Sequence, residues 1–192
     1  MLFRSVADTI GLFSEAGVVG VSIEDFAASY GTGALYERDL AVERVRAAKA
    51  AADGVGFPVT LTARAECYLI NHPDAFAESV WRANAYREAG ADCLYVPGVT
   101  DAETIEALVR EVDGPLNVVM GLSGSPLTVR QLEDLGVKRI SIGGSLARAT
   151  FGVIQRAARE MRDEGTFGYA AEQVPDSELC AFFTGRLAAR AA

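Results

Sequence analysis

The stretch GVSIED, residues 20–25, decides the fold, because an apolar run ends there in two carboxylates. The pattern returns about forty residues later, where VTLTA, residues 59–63, leads into Arg64. A helix-like segment follows each run. A strand that presents a charge at its carboxyl end and then turns into a helix is the repeating unit of α/β barrels and doubly wound sheets. Both folds place their binding sites at that end.

Three more units of this kind follow, so five predicted strands each precede a predicted helix. The strands are predicted at residues 18–23, 59–63, 93–96, 116–120 and 137–142. This alternation predicts parallel strands joined by right-handed crossovers. Apolar residues at helical spacing predict the buried faces of the first three helices: Val6, Ile10 and Phe13; Leu40, Val45, Ala48 and Ala52; Phe76, Val80 and Ala83.

The fold class predicted from this pattern is α/β, within the (β/α)8 TIM-barrel family. Five units fall short of the eight units and ~250 residues of a full barrel. The chain also begins on a helical pattern, so we expect an incomplete barrel, the last five βα units, plus a C-terminal helix. Residues 1–165 would form the partial barrel, and residues 166–192 a C-terminal loop and helix. A self-contained doubly wound sheet is the alternative, although no glycine-rich dinucleotide fingerprint follows any strand.

The composition argues against several classes of partner. The chain has 192 residues, of which 18 are basic and 26 acidic, giving a net charge of −8. Nucleic acids and anionic membrane surfaces attract clustered lysine and arginine, which are scattered here. No apolar run approaches the ~20 residues that span a bilayer. The expectation is therefore a protein with neither a nucleic-acid nor a membrane partner.

The N-terminus and the cysteines indicate a cytoplasmic protein. Residues 1–5 show no basic region followed by a long apolar core, so a secretory signal is not expected. Cys67, Cys93 and Cys180 are odd in number and far apart. They are predicted to be reduced core thiols, and not a disulfide framework or a zinc site.

Several strings in the chain are similar to those of a known superfamily. They are AGVVGVSIED at 16–25, RVRAAKAAADGVGFPVTLTARAE at 44–66, AYREAGADCLYVPGVTD at 85–101 and LGVKRISIGGSLARA at 135–149. In combination they resemble the isocitrate lyase / phosphoenolpyruvate mutase superfamily, over about residues 10 to 165.

The resemblance implies a Mg²⁺-dependent α/β barrel that acts on small α-keto or α-hydroxy carboxylates. Such enzymes make or break C–C or P–C bonds beside an enolate. Glu24 matches the carboxylate that holds Mg²⁺, usually through water, and Arg64 matches the arginine that binds the substrate carboxylate. A divalent cation stabilises an enolate oxygen, and a guanidinium grips a carboxylate with two hydrogen bonds, so both assignments are chemically reasonable.

The chain also departs from the pattern of the resembling superfamily. There the aspartates that bind Mg²⁺ directly lie on strands that would precede this chain. The lyases carry a Lys-Xaa-Cys-Gly-His loop after this strand, whereas residues 26–34 contain no cysteine, histidine or lysine. Isocitrate or methylisocitrate lyase chemistry is therefore not expected. C–C cleavage of an oxaloacetate-like substrate is the first hypothesis, and a non-catalytic truncated remnant is the second.

The sequence also allows non-catalytic interpretations of the site residues. Glu24 could be a solvated strand-end carboxylate, and Arg64 could form an ion pair with Glu24, Asp25 or Glu66. Asp25 is predicted to be structural, bonding backbone groups of its own loop. Glu66 is either a residue that orients Arg64 or a solvated loop acid.

Further candidates receive structural interpretations. His72 precedes a proline at a helix start, which predicts a surface capping residue, and Asn117 is predicted to support a strand. Gly143, Gly144 and Ser145 could bind phosphate at a helix N-terminus, but tight packing is the favoured explanation. Tyr30 and Tyr36 give a weak indication of a lid over the site.

The C-terminal segment predicts self-association. Leu179, Phe182, Phe183 and Leu187 form an apolar helical stripe beyond the last barrel unit. In the resembling superfamily this helix packs on a neighbouring subunit, so a homodimer or homotetramer is expected. A helix that folds back on its own chain is the alternative.

Overall fold

Five parallel strands lie side by side in chain order in the computed structural model, which describes residues 5–27, 34–122 and 127–191. The strands are β1 Gly20–Glu24, β2 Thr60–Arg64, β3 Cys93–Tyr95, β4 Leu116–Val119 and β5 Arg139–Ser141. The predicted α/β fold with a parallel sheet is confirmed. The consecutive strand order argues against the doubly wound alternative, in which the order reverses at a switch point.

Helices separate the strands, and some of them begin at a side-chain cap. They are α1 Val6–Glu15, α2 Arg38–Asp53, α3 Ala75–Glu88, α4 Ala102–Glu111, α5 Val129–Asp134, α6 Ser145–Arg159 and α7 Asp176–Ala191. The Asp101 side chain accepts a hydrogen bond from the Thr104 amide at 2.8 Å and so caps α4. Thr128 and Gln131 form a capping box at α5. Each cap satisfies amides that the helix itself leaves unbonded.

The core lies between the sheet and the helices that pack on one of its faces. Helix α2 packs against β1 and β2, and α3 packs against β2 and β3. Along β2, Leu61 and Ala63 are buried, whereas the side chains of Thr60 and Arg64 are more exposed. Because successive side chains of a strand alternate between faces, Arg64 lies on the face opposite Ala63.

The buried faces of the helices correct three details of the prediction. In α2 the buried stripe consists of Ala41, Val45, Ala48 and Ala52, and Leu40 is 43% exposed. In α1, Ile10 and Ser14 are buried while Phe13 is 47% exposed. The third correction concerns α3, which buries the charged residues Glu78 and Arg82 beside Ala83. Apolar character alone therefore mispredicted which residues these helices bury.

Gly143 adopts a backbone conformation that explains its residue type. Its φ angle is +52°, which lies in a backbone region that residues with a Cβ atom rarely adopt. A Cβ built there would lie 3.4 Å from the Leu122 side chain, which is ordinary van der Waals contact. The turn conformation, and not the tight packing that we predicted, requires glycine at this position.

The chain divides into two compact units, Met1–Gly143 and Gly144–Ala192. The boundary predicted from the sequence was residue 165. The second unit contains α6, a π-helical turn at Glu160–Glu164, a 3₁₀ turn at Gly168–Glu172 and α7. Several of its apolar side chains are more than half exposed: Leu146, Phe151, Val153, Ile154, Phe167, Val174, Phe182 and Phe183. The side chain of Leu187 lies outside the described part of the chain.

Two predictions about residue environment can be compared with the structure. Cys67 and Cys93 are buried free thiols, but Cys180 is exposed, so its assignment to the core was wrong. The cause is its position on α7, where Leu179, Phe182 and Phe183 are exposed as well.

Among the described residues, no helix has the length and apolar character that crossing a membrane requires.

Candidate functional site

Glu24 and Arg64 occupy adjacent positions at the carboxyl ends of two neighbouring strands. They are the last residues of β1 and β2 and are register partners in the parallel ladder. The Arg64 Nη1 atom lies 2.6 Å from Glu24 Oε1. The structure therefore brings together the two residues that the resemblance selected, at the end of the sheet where α/β folds bind ligands.

The Arg64 guanidinium is held from three sides. Its Nε donates to Glu66 Oε1 at 2.7 Å, Nη1 contacts Glu24, and its carbon lies 5.0 Å from the centre of the Tyr95 ring. Tyr95 is the register partner of Arg64 on β3. An arginine side chain offers five N–H donors, so the two ion pairs leave donors for a ligand. The side chain is 22% exposed, which gives a ligand access to it.

Glu66 acts as the residue that orients Arg64. It is 3% exposed, so the alternative of a solvated loop acid was wrong. Burial raises the pKa of its carboxyl group, and the charge of Arg64 opposes that rise. Burial also raises the pKa of the Tyr95 hydroxyl. Both effects follow from the cost of placing a charged group away from water.

Asp25 is structural, but its partners differ from those predicted. Its Oδ1 accepts a hydrogen bond from the Glu66 amide at 2.9 Å. Its Oδ2 accepts from the Tyr86 hydroxyl at 2.7 Å and from Arg82 Nη1 at 3.1 Å. We expected bonds to the backbone of its own loop, whereas the side chain joins the following βα loop to α3. With both oxygens bonded and 3% exposure, Asp25 is not positioned to bind a ligand.

Three residues of α3 belong to this cluster and were missed from the sequence. Glu78, Arg82 and Tyr86 recur every four residues, which places them on one face of the helix. Glu78 accepts from Arg82 Nε at 2.7 Å and from Arg38 Nη2 at 2.5 Å. The i, i+4 spacing of opposite charges was the signal in the sequence for this buried face. The prediction was based instead on the nearby apolar residues Phe76 and Val80.

These contacts shift the pKa values of the cluster. The hydrogen bond from Arg38, assisted by Arg82, lowers the pKa of Glu78 to about 2. Burial, together with the neighbouring charge of Asp25, raises the pKa of Tyr86. The Tyr86 hydroxyl therefore stays protonated and keeps donating its hydrogen bond to Asp25.

A cavity of about 550 Å³ lies along the face of the sheet that carries Arg64. Its polar lining includes Ser22, Thr62, Tyr95, Arg139 and Ser141. Arg139 donates to Asn117 Oδ1 at 2.9 Å, and Asn117 Nδ2 donates to Ser141 Oγ at 3.0 Å. Asn117 is fully buried, which agrees with its predicted structural role.

The remaining candidates lie away from the Glu24–Arg64 pair or frame its loop. His72 Nδ1 accepts a hydrogen bond from the Asp74 amide at 3.1 Å, but Asp74 is the N-cap residue of α3, so His72 does not itself cap this helix as predicted. The Tyr36 amide donates to the Asp25 carbonyl at 2.8 Å, which closes the base of the loop after β1. Tyr30 lies outside the described residues, so the predicted lid stays a prediction.

Glu24 is the residue that fits a contribution to a magnesium site. Its side chain is 46% exposed, and only one of its oxygens pairs with Arg64. Magnesium prefers oxygen ligands and keeps several waters, so one accessible carboxylate suits a hydrated ion. Within the described ranges no three histidine, cysteine or acidic side chains cluster as a metal site. The described donors thus fit one carboxylate contact and not an all-protein cage.

Comparison with known proteins identifies the family. Residues 2–162 match the family model described as phosphoenolpyruvate phosphomutase. A crystal structure from Burkholderia cenocepacia J2315, to which a lyase or mutase function has been attributed, is 50% identical, with a TM-score of 0.86. The match covers 92% of this chain and 63% of that one. The chain therefore belongs to the phosphoenolpyruvate phosphomutase family, within the isocitrate lyase / phosphoenolpyruvate mutase superfamily.

Two further relatives show the chemistry found in this superfamily. 2,3-Dimethylmalate lyase, a superfamily member, is 25% identical with a TM-score of 0.79, over 97% of this chain and 66% of that one. Oxaloacetate decarboxylase from Paraburkholderia xenovorans (strain LB400) is 30% identical, over 81% of this chain and 50% of that protein. The chain thus spans about half to two thirds of the length of the proteins it matches.

Proposed function

We propose that the chain is part of a Mg²⁺-dependent enzyme of the lyase or hydrolase type, which acts on small α-keto or α-hydroxy carboxylates through an enolate. One observation carries the proposal. Glu24 and Arg64 are register partners at the carboxyl ends of β1 and β2, with side chains 2.6 Å apart. The two groups that the chemistry needs, a metal-binding carboxylate and a carboxylate-binding cation, are adjacent there.

Arg64 is proposed to bind the substrate carboxylate. Its ion pairs with Glu24 and Glu66 use one N–H on Nη1 and the N–H on Nε. The three remaining N–H groups lie on Nη1 and Nη2, which can hold a carboxylate with two parallel hydrogen bonds. Glu66 fixes the guanidinium plane from the opposite edge, so the ligand meets a cation that is already oriented.

Glu24 is proposed to hold Mg²⁺ through water beside this cation. When bound, the metal ion would supply positive charge to the oxygen that becomes negative as the enolate forms. The ion pair keeps Arg64 next to that position, so the chain's own residues would orient the substrate carboxylate toward the metal. Asp25 holds the end of β1 in place through its buried hydrogen bonds.

The substrate proposed first is an oxaloacetate-like dicarboxylate, cleaved at a C–C bond. Relatives named oxaloacetate decarboxylase and 2,3-dimethylmalate lyase act on compounds of this class. Neither Cys67 nor Cys93 lines the cavity beside Arg64, and both thiols are buried with pKa values raised by burial. We therefore favour a reaction that does not use a cysteine of the described residues.

Isothermal titration calorimetry with Mg²⁺ and oxalate tests the proposal, because oxalate has the shape and charge of a pyruvate enolate. We expect millimolar or tighter oxalate binding that depends on Mg²⁺. Binding should weaken at least about tenfold in Arg64→Lys, which keeps the charge but loses the two-donor geometry. Glu24→Gln should remove the oxalate binding that depends on Mg²⁺. Arg110→Lys, an exposed change on α4, is the matched control.

A folded protein that gives no heat with either ligand would contradict the proposal for this chain. That result would support the second candidate, a non-catalytic role. One observation favours it: Arg64 is already paired with two carboxylates, so its charge is neutralised without a ligand. Binding of oxalate would have to compete with that arrangement.

A homodimeric or homotetrameric state and a cytoplasmic location complete the proposal. The exposed apolar side chains of the second unit support self-association. A small carboxylate is the proposed ligand, and no nucleic acid or membrane is included.

A further inference from the structure

A continuous path of hydrogen bonds leads from α3 to the Glu24–Arg64 pair. Arg82 Nη1 donates to Asp25 Oδ2 at 3.1 Å, and Asp25 Oδ1 accepts from the Glu66 amide at 2.9 Å. The Glu66 carboxylate then accepts from Arg64 Nε at 2.7 Å, and Arg64 contacts Glu24 at 2.6 Å. Arg82, Asp25 and Glu66 are each less than 5% exposed, so water does not compete for these bonds.

Arg82 is the residue at which this path meets the rest of the protein. Besides Asp25, its guanidinium donates to Glu78 Oε1 at 2.7 Å and to the Tyr36 carbonyl at 3.0 Å. It also lies 3.3 Å from the Tyr86 hydroxyl. One side chain therefore joins α3 to both ends of the segment between β1 and α2. A lysine at this position would keep the charge but could not make these contacts in one plane.

We propose that Arg82 is a positioning residue for Arg64 and acts through Asp25 and Glu66. Arg82 fixes the Asp25 carboxylate, and Asp25 fixes the backbone of Glu66 where the chain leaves β2. That backbone position determines the direction from which the Glu66 carboxylate meets Arg64 Nε. If the bond to Asp25 is lost, the Glu66 turn can move and the Arg64 plane turns relative to Tyr95.

A purely structural role for Arg82 makes a different prediction. If the role were only structural, replacing Arg82 would lower the stability of the fold but would leave the Arg64–Glu66 bond unchanged in every folded molecule. The positioning role alters that bond in the folded state. The distinction matters for function, because a shift of about 1 Å in a group that orients a substrate can cost 100-fold in rate.

The Nε–Hε resonance of Arg64 in a ¹H–¹⁵N NMR spectrum reports on this bond directly. It is assigned by its disappearance in Arg64→Lys. In Arg82→Lys we expect the Hε proton to move upfield, toward the position of an unbonded guanidinium, in the folded protein. Arg87→Lys is the matched control, since Arg87 lies on the same helix and bonds a backbone carbonyl away from the site. It should leave the resonance unchanged.

Tyr86→Phe provides a second variant if Arg82→Lys does not fold. It removes only the hydroxyl that shares Asp25 Oδ2 with Arg82, so a smaller upfield shift is expected. An unchanged Arg64 resonance in every folded variant would overturn the proposal.

Oxalate titration adds a second readout, which rests on the proposed function. We expect about tenfold weaker oxalate binding in Arg82→Lys and unchanged binding in Arg87→Lys. If wild-type protein does not bind oxalate, the proposed function fails, while the NMR shift still decides the positioning role. Oxalate binding that is equal in wild type and Arg82→Lys would contradict positioning even if the fold were destabilised.

Discussion

Glu78 is a carboxylate whose state of protonation is coupled to folding. It is 8% exposed and lies between the guanidinium groups of Arg38 and Arg82. These partners lower its pKa from 4.5 to about 2, so the unfolded chain binds its proton more readily than the folded chain. The resulting stabilisation is fully present above pH 4.5 and is lost as the pH falls toward 2.

We predict that Glu78→Gln lowers the free energy of unfolding at pH 7 by on the order of 3 kcal/mol. Between pH 4.5 and 2 the variant should lose stability less steeply than wild type, because one linked proton is gone. Urea denaturation at several pH values measures both effects. Glu88→Gln, at the exposed end of the same helix, should change neither. Parallel pH curves for wild type and Glu78→Gln would contradict the prediction.

Helix α2 shows at the level of an element how register decides burial. Val45 is 3% exposed and Leu40 is 43% exposed, although both are large and apolar. The buried positions 41, 45, 48 and 52 follow the helical repeat, and residue 40 lies beside that stripe. Leu40 was predicted to be in the core because it is large and apolar. The orientation of α2 on β1 and β2 buries the smaller residue Ala41 instead.

We predict that Val45→Ala destabilises the protein by about 2 kcal/mol, through lost burial and the cavity that remains. Leu40→Ala should cost less than about 1 kcal/mol, even though it removes more atoms, because much of its side chain already contacts water. Thermal or urea unfolding of the two variants gives the comparison, with each serving as the control for the other. Equal losses would show that α2 packs in a different register.

Helix α3 illustrates the opposite difficulty, because its buried face is charged. Charged residues are rarely buried unless they are paired. A prediction from apolar spacing therefore does not assign them to the buried face of a helix. Here Glu78 and Arg82 are paired with each other and with Arg38 and Asp25. Those partners lie on other elements, which is why apolar spacing could not identify this face.

At the scale of the whole molecule, the second unit carries the strongest indication of assembly. Phe151, Phe167, Phe182 and Phe183 each expose more than half of their surface. Exposed apolar side chains in this number are typical of surfaces that another protein covers. The occupant that we expect is a second copy of the chain, as the apolar stripe of α7 already predicted.

Sedimentation velocity tests this expectation. We predict a species of at least twice the chain mass of 20.3 kDa at micromolar concentration. Phe183→Ser, which removes an exposed aromatic ring, should shift the distribution toward the monomer. Tyr169→Phe, another change in the second unit, should keep the assembly of the wild type. A wild-type chain that sediments as a monomer at all concentrations would contradict homo-oligomerisation.

The sequence by itself determined the order of five βα units and the positions of Glu24 and Arg64 at the carboxyl ends of β1 and β2. Both follow from local rules, since the period of the apolar pattern marks the elements and parallel neighbours place their ends together. Only the tertiary structure decided what holds those residues. Asp25 bonds to residues 41, 57 and 61 positions away, and no local pattern specifies partners at such separations.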